Sequence, residues 1–432
     1  MKKKTNKTIR RIRTALAAGF CLCATCAPAA AQDAQAVPCG RTYGGPGRDV
    51  PQAMAATADG GAIVAGFRDA ATGWDASDGD ADAWIVKLDA KGDIQWTATY
   101  GDTGWDGVTS IIQTPDGGYL AAGVTGDYDM NLAGIEEIAG TGAVNENQPG
   151  DVWLLRLDAQ GGQVWARSFG RSADHTATHL SSQAPNGSFS FAAAASYDDT
   201  LSTDIWFATL DPETPPGRPS ESGGRYPYTA AAVAALPQGG AVVAGSVRAA
   251  SPDKSDIMAT RIDASGRVLW TEPLGTTLED HGAAIAADPK FGYAVAGYVF
   301  TQEPGTDTGS DDFYAVLLDR DGKKLWSRTL PAKRDDRPAA IAFTDSGGVL
   351  IAGNTFSGTN GFADMKLAML GNNGEPAWDI KLGTTRDDRL TAMAALPGKG
   401  FLIAATTRMP EPARSYDFWI LTLDNTGMCI NP

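Results

Sequence analysis

Short apolar runs, each set off by a glycine pair or a glycine turn, recur along this chain at a period near fifty residues. The clearest copy runs from Tyr100 to Trp165. It gives Tyr100-Gly101, then Asp106, the triplet Asp116-Gly117-Gly118 and the apolar run Tyr119-Leu120-Ala121-Ala122-Gly123. Asp151-Val152-Trp153, Leu157-Asp158, Gly161-Gly162 and Trp165 follow. Apolar runs bounded by glycine and aspartate are strand signals, and self-similarity at this period marks a propeller or solenoid.

Each repeat predicts four strands. The first is alanine-rich, as in Ala283-Ala284-Ile285-Ala286-Ala287 and Ala392-Met393-Ala394-Ala395. Alanine is a poor strand former but suits an innermost strand, where side chains have little room. Asp-Gly-Gly or Gln238-Gly239-Gly240 supplies the hairpin turn into the second strand, for example Ala241-Val242-Val243-Ala244. The third carries an Asp-x-aromatic mark, and the fourth ends on Trp96, Trp165, Trp270, Trp326 or Trp378.

The marks fall at Asp82, Asp151, Asp204, Asp256, Asp312, Asp364 and Asp417, 52 to 56 residues apart with one gap of 69; those at Asp256-Ile257-Met258 and Asp364-Met365-Lys366 are weaker copies. An independent Ala-Gly series, from Ala65-Gly66 to Ala352-Gly353 with two degenerate copies, gives the same seven repeats. The expected fold is all-β: a seven-bladed β-propeller of four-stranded antiparallel blades. Residues 41–44, Arg-Thr-Tyr-Gly, match the end of a fourth strand, and Gly427-Met428-Cys429 its beginning. The N-terminal strand is therefore expected to complete the last blade, with Cys39 and Cys429 bridged across the closure. The third repeat, with Pro212, Pro215, Pro216 and Pro219 and no closing tryptophan, predicts a short or irregular outer strand.

The run Leu88-Asp89-Ala90-Lys91-Gly92-Asp93-Ile94-Gln95-Trp96 resembles the tryptophan-docking motif of quinoprotein-like propellers. Leu157 to Trp165, Ile262 to Trp270 and Leu318 to Trp326 resemble it too. The marks are also similar to repeat arrays of secreted bacterial proteins. The resemblance covers residues 39–432 and speaks to fold, since propellers host many functions.

Residues 1–31 read as a signal peptide: seven basic residues up to Arg13, an apolar stretch from Ala15 to Cys26, and Ala29-Ala30-Ala31 as cleavage site. A linker, 32–38, then leads into one domain over 39–432. The expected location is periplasmic or extracellular. The Arg10-Arg11 pair raises a twin-arginine route, against which Arg13 replaces the apolar residue that signal prefers. No later run would span a bilayer. Taking the leader's seven basic residues from 36 leaves 29 against 51 acids, a net charge of −22. That balance disfavours nucleic acid as a partner. A monomer binding a protein or a glycan is expected.

By repeat phase Asp49, Asp106, Asp174, Asp280, Asp336 and Asp388 open the inner strands, His175 and His281 following two of them and Arg337 and Arg389 two others. Such a ring collects a polar ligand, or each aspartate caps its own turn, the reading favoured for a residue that recurs with the fold. Asp75, Asp78, Asp80 and Asp82 alternate as in a calcium loop but lack its glycine position and closing glutamate, leaving calcium a weak candidate and no cofactor firmly implied. Trp74 and Trp105 fall outside the repeat template beside these acids, with Tyr128 close by; the arrangement suits carbohydrate, or each tryptophan packs down on its own loop, the reading slightly favoured. No zinc-ligand spacing, nucleophile elbow or phosphate loop appears. The chain also lacks the adjacent cysteine pair of many quinone-dependent dehydrogenases. A non-catalytic binding or scaffold module is the leading expectation; a carbohydrate-directed propeller and a quinone-cofactor enzyme come second and third.

Overall fold

A computed structural model describes residues 39–45, 47–69, 81–101, 104–126, 151–169, 174–181, 184, 187–197, 202–217, 219–221, 228–248, 255–302, 309–356, 363–409 and 416–430. Every regular element among them is a strand. A three-residue strand β1 (Arg41–Tyr43) comes first, then β2 (Arg48–Ala56), β3 (Ala62–Asp69), β4 (Ala81–Leu88) and β5 (Ile94–Tyr100), paired antiparallel in that order. The unit recurs as β6 (Trp105–Gln113), β7 (Tyr119–Gly126), β8 (Asp151–Leu157) and β9 (Gln163–Phe169). Next come β10 (Asp174–Leu180), β11 (Phe189–Tyr197), β12 (Ser202–Leu210) and β13 (Ser220–Glu221). β14 (Tyr228–Ala235), β15 (Ala241–Arg248), β16 (Ser255–Ile262) and β17 (Val268–Pro273) form another sheet. So do β18 (Asp280–Asp288), β19 (Gly292–Gln302), β20 (Gly309–Leu318) and β21 (Lys324–Leu330). β22 (Asp336–Phe343), β23 (Val349–Thr355), β24 (Asp364–Leu370) and β25 (Pro376–Leu382) repeat it once more. The last set is β26 (Asp388–Leu396), β27 (Gly400–Arg408) and β28 (Tyr416–Leu423), and β1 pairs with β28 where a fourth strand would stand. Single parallel bridges, Arg48 to Tyr416 and Ala81 to Trp105, join the sets of β26–β28, β2–β5 and β6–β9 edgewise. β13 has only two residues, as the proline-rich stretch before it predicts.

Burial follows strand position. The second and third strands, such as β3 and β4, are buried along nearly their whole length, because neighbouring sheets cover both their faces. Outer strands such as β5 alternate exposed and half-buried. Apolar clusters lie between consecutive sheets. One of them joins the last set to the first, placing Leu402, Ala404 and Phe418 against Met54, Val64 and Trp84. The inner strands touch in series: β2 with β6, β6 with β10, β10 with β14, β14 with β18, β18 with β22, β22 with β26, and β26 with β2.

Two repeated sequence marks acquire physical causes. Every inner strand carries a bulge near its middle, between Pro51 and Ala53 in β2 and between Gly282 and Ala284 in β18. There its backbone presses on the second strand. A Cβ on Gly66 or Gly123 would collide with the carbonyls of Val50 or Gly107, which explains the Ala-Gly series. The outer-strand tryptophans reach across to the next sheet. Trp96 Nε1 donates to Ala159 O (3.1 Å), Trp165 to Pro212 O (3.1 Å), Trp326 to Asn372 O (2.9 Å) and Trp378 to Asn425 O (2.9 Å). Their rings lie on positive-φ turn glycines such as Gly161 and Gly374. β1 has no tryptophan, but Tyr43 donates its hydroxyl to Gly92 O at 2.7 Å, as Tyr100 does to Gly161 O at 2.6 Å. A Cys39–Cys429 disulfide, 390 residues in span and 6.1 Å between Cα atoms, ties β1 to the strand end beyond β28.

Candidate functional site

First-to-second and third-to-fourth connections close one end of the sheets with tight hydrogen-bonded turns. The other end holds the second-to-third connections and the starts of the inner strands. The sequence-predicted aspartates lie there. Asp49, Asp106, Asp280, Asp336 and Asp388 are wholly buried. Asp174 and His175 open β10, but their side chains fall outside the described residues, as do Trp74, Asp75, Asp78, Asp80 and Tyr128.

Most of the described carboxylates are spent on local partners. Asp49 Oδ2 accepts from Gly45 N at 2.7 Å, and its Oδ1 from Arg68 Nε at 2.5 Å. Asp280 accepts from the backbone and hydroxyl of Thr276, the latter at 3.0 Å. Asp388 accepts from Thr384 N and from Thr407 Oγ1, the latter at 2.5 Å. In three sheets the aspartate thus ties down the backbone four residues before it, which is turn capping. Asp336 accepts from the Thr355 hydroxyl and meets Lys366 Nζ at 2.5 Å.

The two aspartate series, separate in sequence, converge in space. Asp417 and Asp49 meet at Gly44, and Asp82 and Asp106 at Gly101. Burial first, and then the neighbouring charge of Asp388, pushes Asp364 up to about 6. Asp417 rises to about 6 in the same way beside Asp49. The signal that could have revealed this is a constant spacing: 82 and 106, 256 and 280, 312 and 336, and 364 and 388 all differ by 24.

One set of partly exposed polar groups at this end lies around β18, β19 and β22, apart from the Arg48–Asp69 and Arg68–Asp49 pairs of β2 and β3. His281 stacks on Tyr298, ring centroids 4.9 Å apart, and lies 3.2 Å from Glu279 Oε1 and 3.4 Å from Ser255 Oγ. Arg337 lies over the other side of the cluster, 5.2 Å from the Tyr298 ring and 3.0 Å from Asp311 Oδ2. Burial raises Tyr298 to about 12 and also raises Asp311, against which Arg337 acts. The cluster offers a polar partner guanidinium and imidazole donors and a carboxylate acceptor on one rigid aromatic base. Of these residues His281 and Arg337 were singled out from the sequence, each following an inner-strand aspartate; Tyr298 and Asp311 sit on other strands, and nothing local marks them.

Trp105 is only 6% exposed, its ring 5.3 Å from Phe67 in a cluster with Val50 and Ala81. It packs inside the fold and does not offer its ring for stacking. Among the described residues no group of three or more His, Cys, Asp or Glu is arranged to hold a metal ion. Of the alternating carboxylates considered for calcium, only Asp82 is described, and it lies beside Asp106. No helix among the described residues is long and apolar enough to cross a membrane.

No family model matches the chain, and no curated protein matches it in sequence. Solved structures are similar to it in fold. A puromycin hydrolase is 14% identical with a TM-score of 0.49, the match covering 91% of this chain and 56% of that one. The β-propeller domain of the Trilobed protease from Pyrococcus furiosus is 11% identical, with a TM-score of 0.48, over 88% of this chain and 97% of that one. A variant of the Synechocystis apocarotenoid oxygenase is 10% identical, with a TM-score of 0.45, over 82% and 84%. The activities named belong to those proteins. The chain itself is all-β and propeller-like, built from repeated four-stranded antiparallel sheets.

Proposed function

We propose that this is an exported, monomeric, seven-bladed β-propeller that acts as a non-catalytic binding module for a protein or glycan. The serial contacts of the inner strands, which return from β26 to β2, support a closed ring of seven blades. The pairing of β1 with β28 supports closure by the N-terminal strand. The basic leader and the terminal disulfide support an oxidising compartment outside the cytoplasm.

One observation carries the binding role: the two ends of the sheets differ in how their connections vary. At the turn end most connections are three to five residues long. At the opposite end the second-to-third connections run from four residues, between Tyr197 and Ser202, to 24, between Gly126 and Asp151. Length variation on a constant scaffold is how a fold presents a recognition surface. The buried aspartates there serve the fold, and the cluster of Glu279, His281 and Arg337 serves the partner. The test is binding of the mature chain to a bacterial glycan array and to a panel of secreted proteins. Arg337→Ala with His281→Ala, or a short Gly-Ser bridge in place of 127–150, should weaken the bound interaction at least tenfold with the melting temperature unchanged. Binding indifferent to both changes, or turnover of the bound molecule, would overturn the reading.

A further inference from the structure

Four neighbouring inner strands, β10, β14, β18 and β22, enclose a cavity of about 460 Å³ near their C-terminal ends, at the turn end of the sheets. This volume lies within the range of small-molecule sites, roughly 300–1,000 Å³. Alanine, proline and isoleucine residues make about half of the wall, with Leu236, Ile285 and Ile341 the bulkiest aliphatic groups. Polar groups, among them His179, Ser181, Gln238, Asp288 and Arg320, make nearly as much of it, and such groups fix the orientation of a ligand.

His179, at the end of β10, is the decisive one. Its Nδ1 accepts the N–H of Ala235 at 3.2 Å, which places the ring proton of the neutral imidazole on Nε2. Burial holds the ring down to about 4, so it stays neutral at ordinary pH. The result is one uncharged donor of fixed tautomer on a wall of mixed polarity. Asp288 and the exposed Arg320 add one charge of each sign. Asp288 Oδ1 already holds the N–H groups of Lys290 and Phe291, at 2.7 and 3.0 Å. The wall therefore favours neither an anion nor a cation.

We infer that this cavity is a binding site for an uncharged small molecule with both apolar and polar faces, bearing a carbonyl acceptor that takes the Nε2–H of His179. The site is distinct from the surface at the opposite end and does not depend on what binds there.

The experiment uses the mature protein and the lactone coumarin as probe, with benzoate and benzylamine as charged controls. The chain has three histidines, so ring-nitrogen NMR spectra resolve them, and His179→Gln assigns the signal. Coumarin should shift the His179 ring signals and leave the other two in place, while the charged controls should not. Ala286→Phe fills the cavity from β18 and should weaken coumarin at least tenfold; Ile341→Trp does the same from β22 should the first variant not fold. An unmoved His179 signal at saturating coumarin, an equal response to benzoate, or undiminished binding in the filled variant would overturn the inference.

Discussion

Asp336 and Asp388 hold the same place in successive repeats, and both are wholly buried. They differ in how their charge is met. Asp388 is held by neutral donors, Thr384 N and Thr407 Oγ1, and its charge bears on Asp364. Asp336 accepts from the Thr355 hydroxyl, which stands where Thr407 does, and has a buried cation as well, because Lys366 stands where other third strands carry Trp84, Trp153 or Tyr314. The position demands a carboxyl acceptor to fix the entry to the inner strand. How the charge is met is left to each repeat. Repetition therefore fixes geometry here and leaves electrostatics free.

The comparison breaks most visibly at Lys366. Lys366→Met, with the residue that β16 carries at Met258, leaves Asp336 buried without its cation. A loss of about 3–5 kcal/mol is expected in urea denaturation. Adding Asp336→Asn should recover most of it. A single-variant loss below about 1 kcal/mol would show that the pair is incidental.

At the other site Asp388→Ala strands the Thr384 N–H and the Thr407 hydroxyl, for a loss of about 2 kcal/mol. The same change should lower the pKa of Asp364, readable by carboxyl-carbon NMR titration. An unmoved Asp364 would mean that burial alone sets its value.

Asp364→Asn should stabilise the protein at pH 7 by about 1 kcal/mol. The sign follows from a folded pKa raised from 3.8 to about 6. The fold favours the protonated carboxyl, so its contribution to stability is greatest below about pH 4 and falls away as pH rises through 6. The advantage of the asparagine variant should therefore shrink as pH drops from 7 to 4. An advantage independent of pH would rule the carboxyl's titration out as its source. Smallest of all, Thr407→Val removes one donor from Asp388 and should cost about 0.5–1 kcal/mol by thermal melting.

The strands, their grouping in fours and the pairing of Cys39 with Cys429 were legible in the sequence because each is a periodic or terminal feature. The aspartates that open the inner strands were legible too, including their capping role at Asp49, Asp280 and Asp388. Trp105 was misplaced because falling outside the repeat template says nothing about exposure; Phe67 and Val50, far away in sequence, bury it. Lys366 was visible only as a weak copy of the aromatic mark, and its reach to Asp336 depends on two strands of one sheet. The cavity beside His179 could not be read at all. Empty space between four inner strands leaves no trace in the residues that line it.

The strand β1 sets a schedule. Trp419 Nε1 donates to Cys39 O across 380 residues, and Arg41–Tyr43 can pair only after Phe418–Ile420 exists. As the chain is synthesised, each earlier sheet can assemble behind its predecessor, but β1 waits with its hydrogen bonds open until β28 is made. Loop closure over such a distance is slow, and an unfinished edge is exposed meanwhile. Completion is thus tied to the making of β28, and the cysteine bridge records that it has happened.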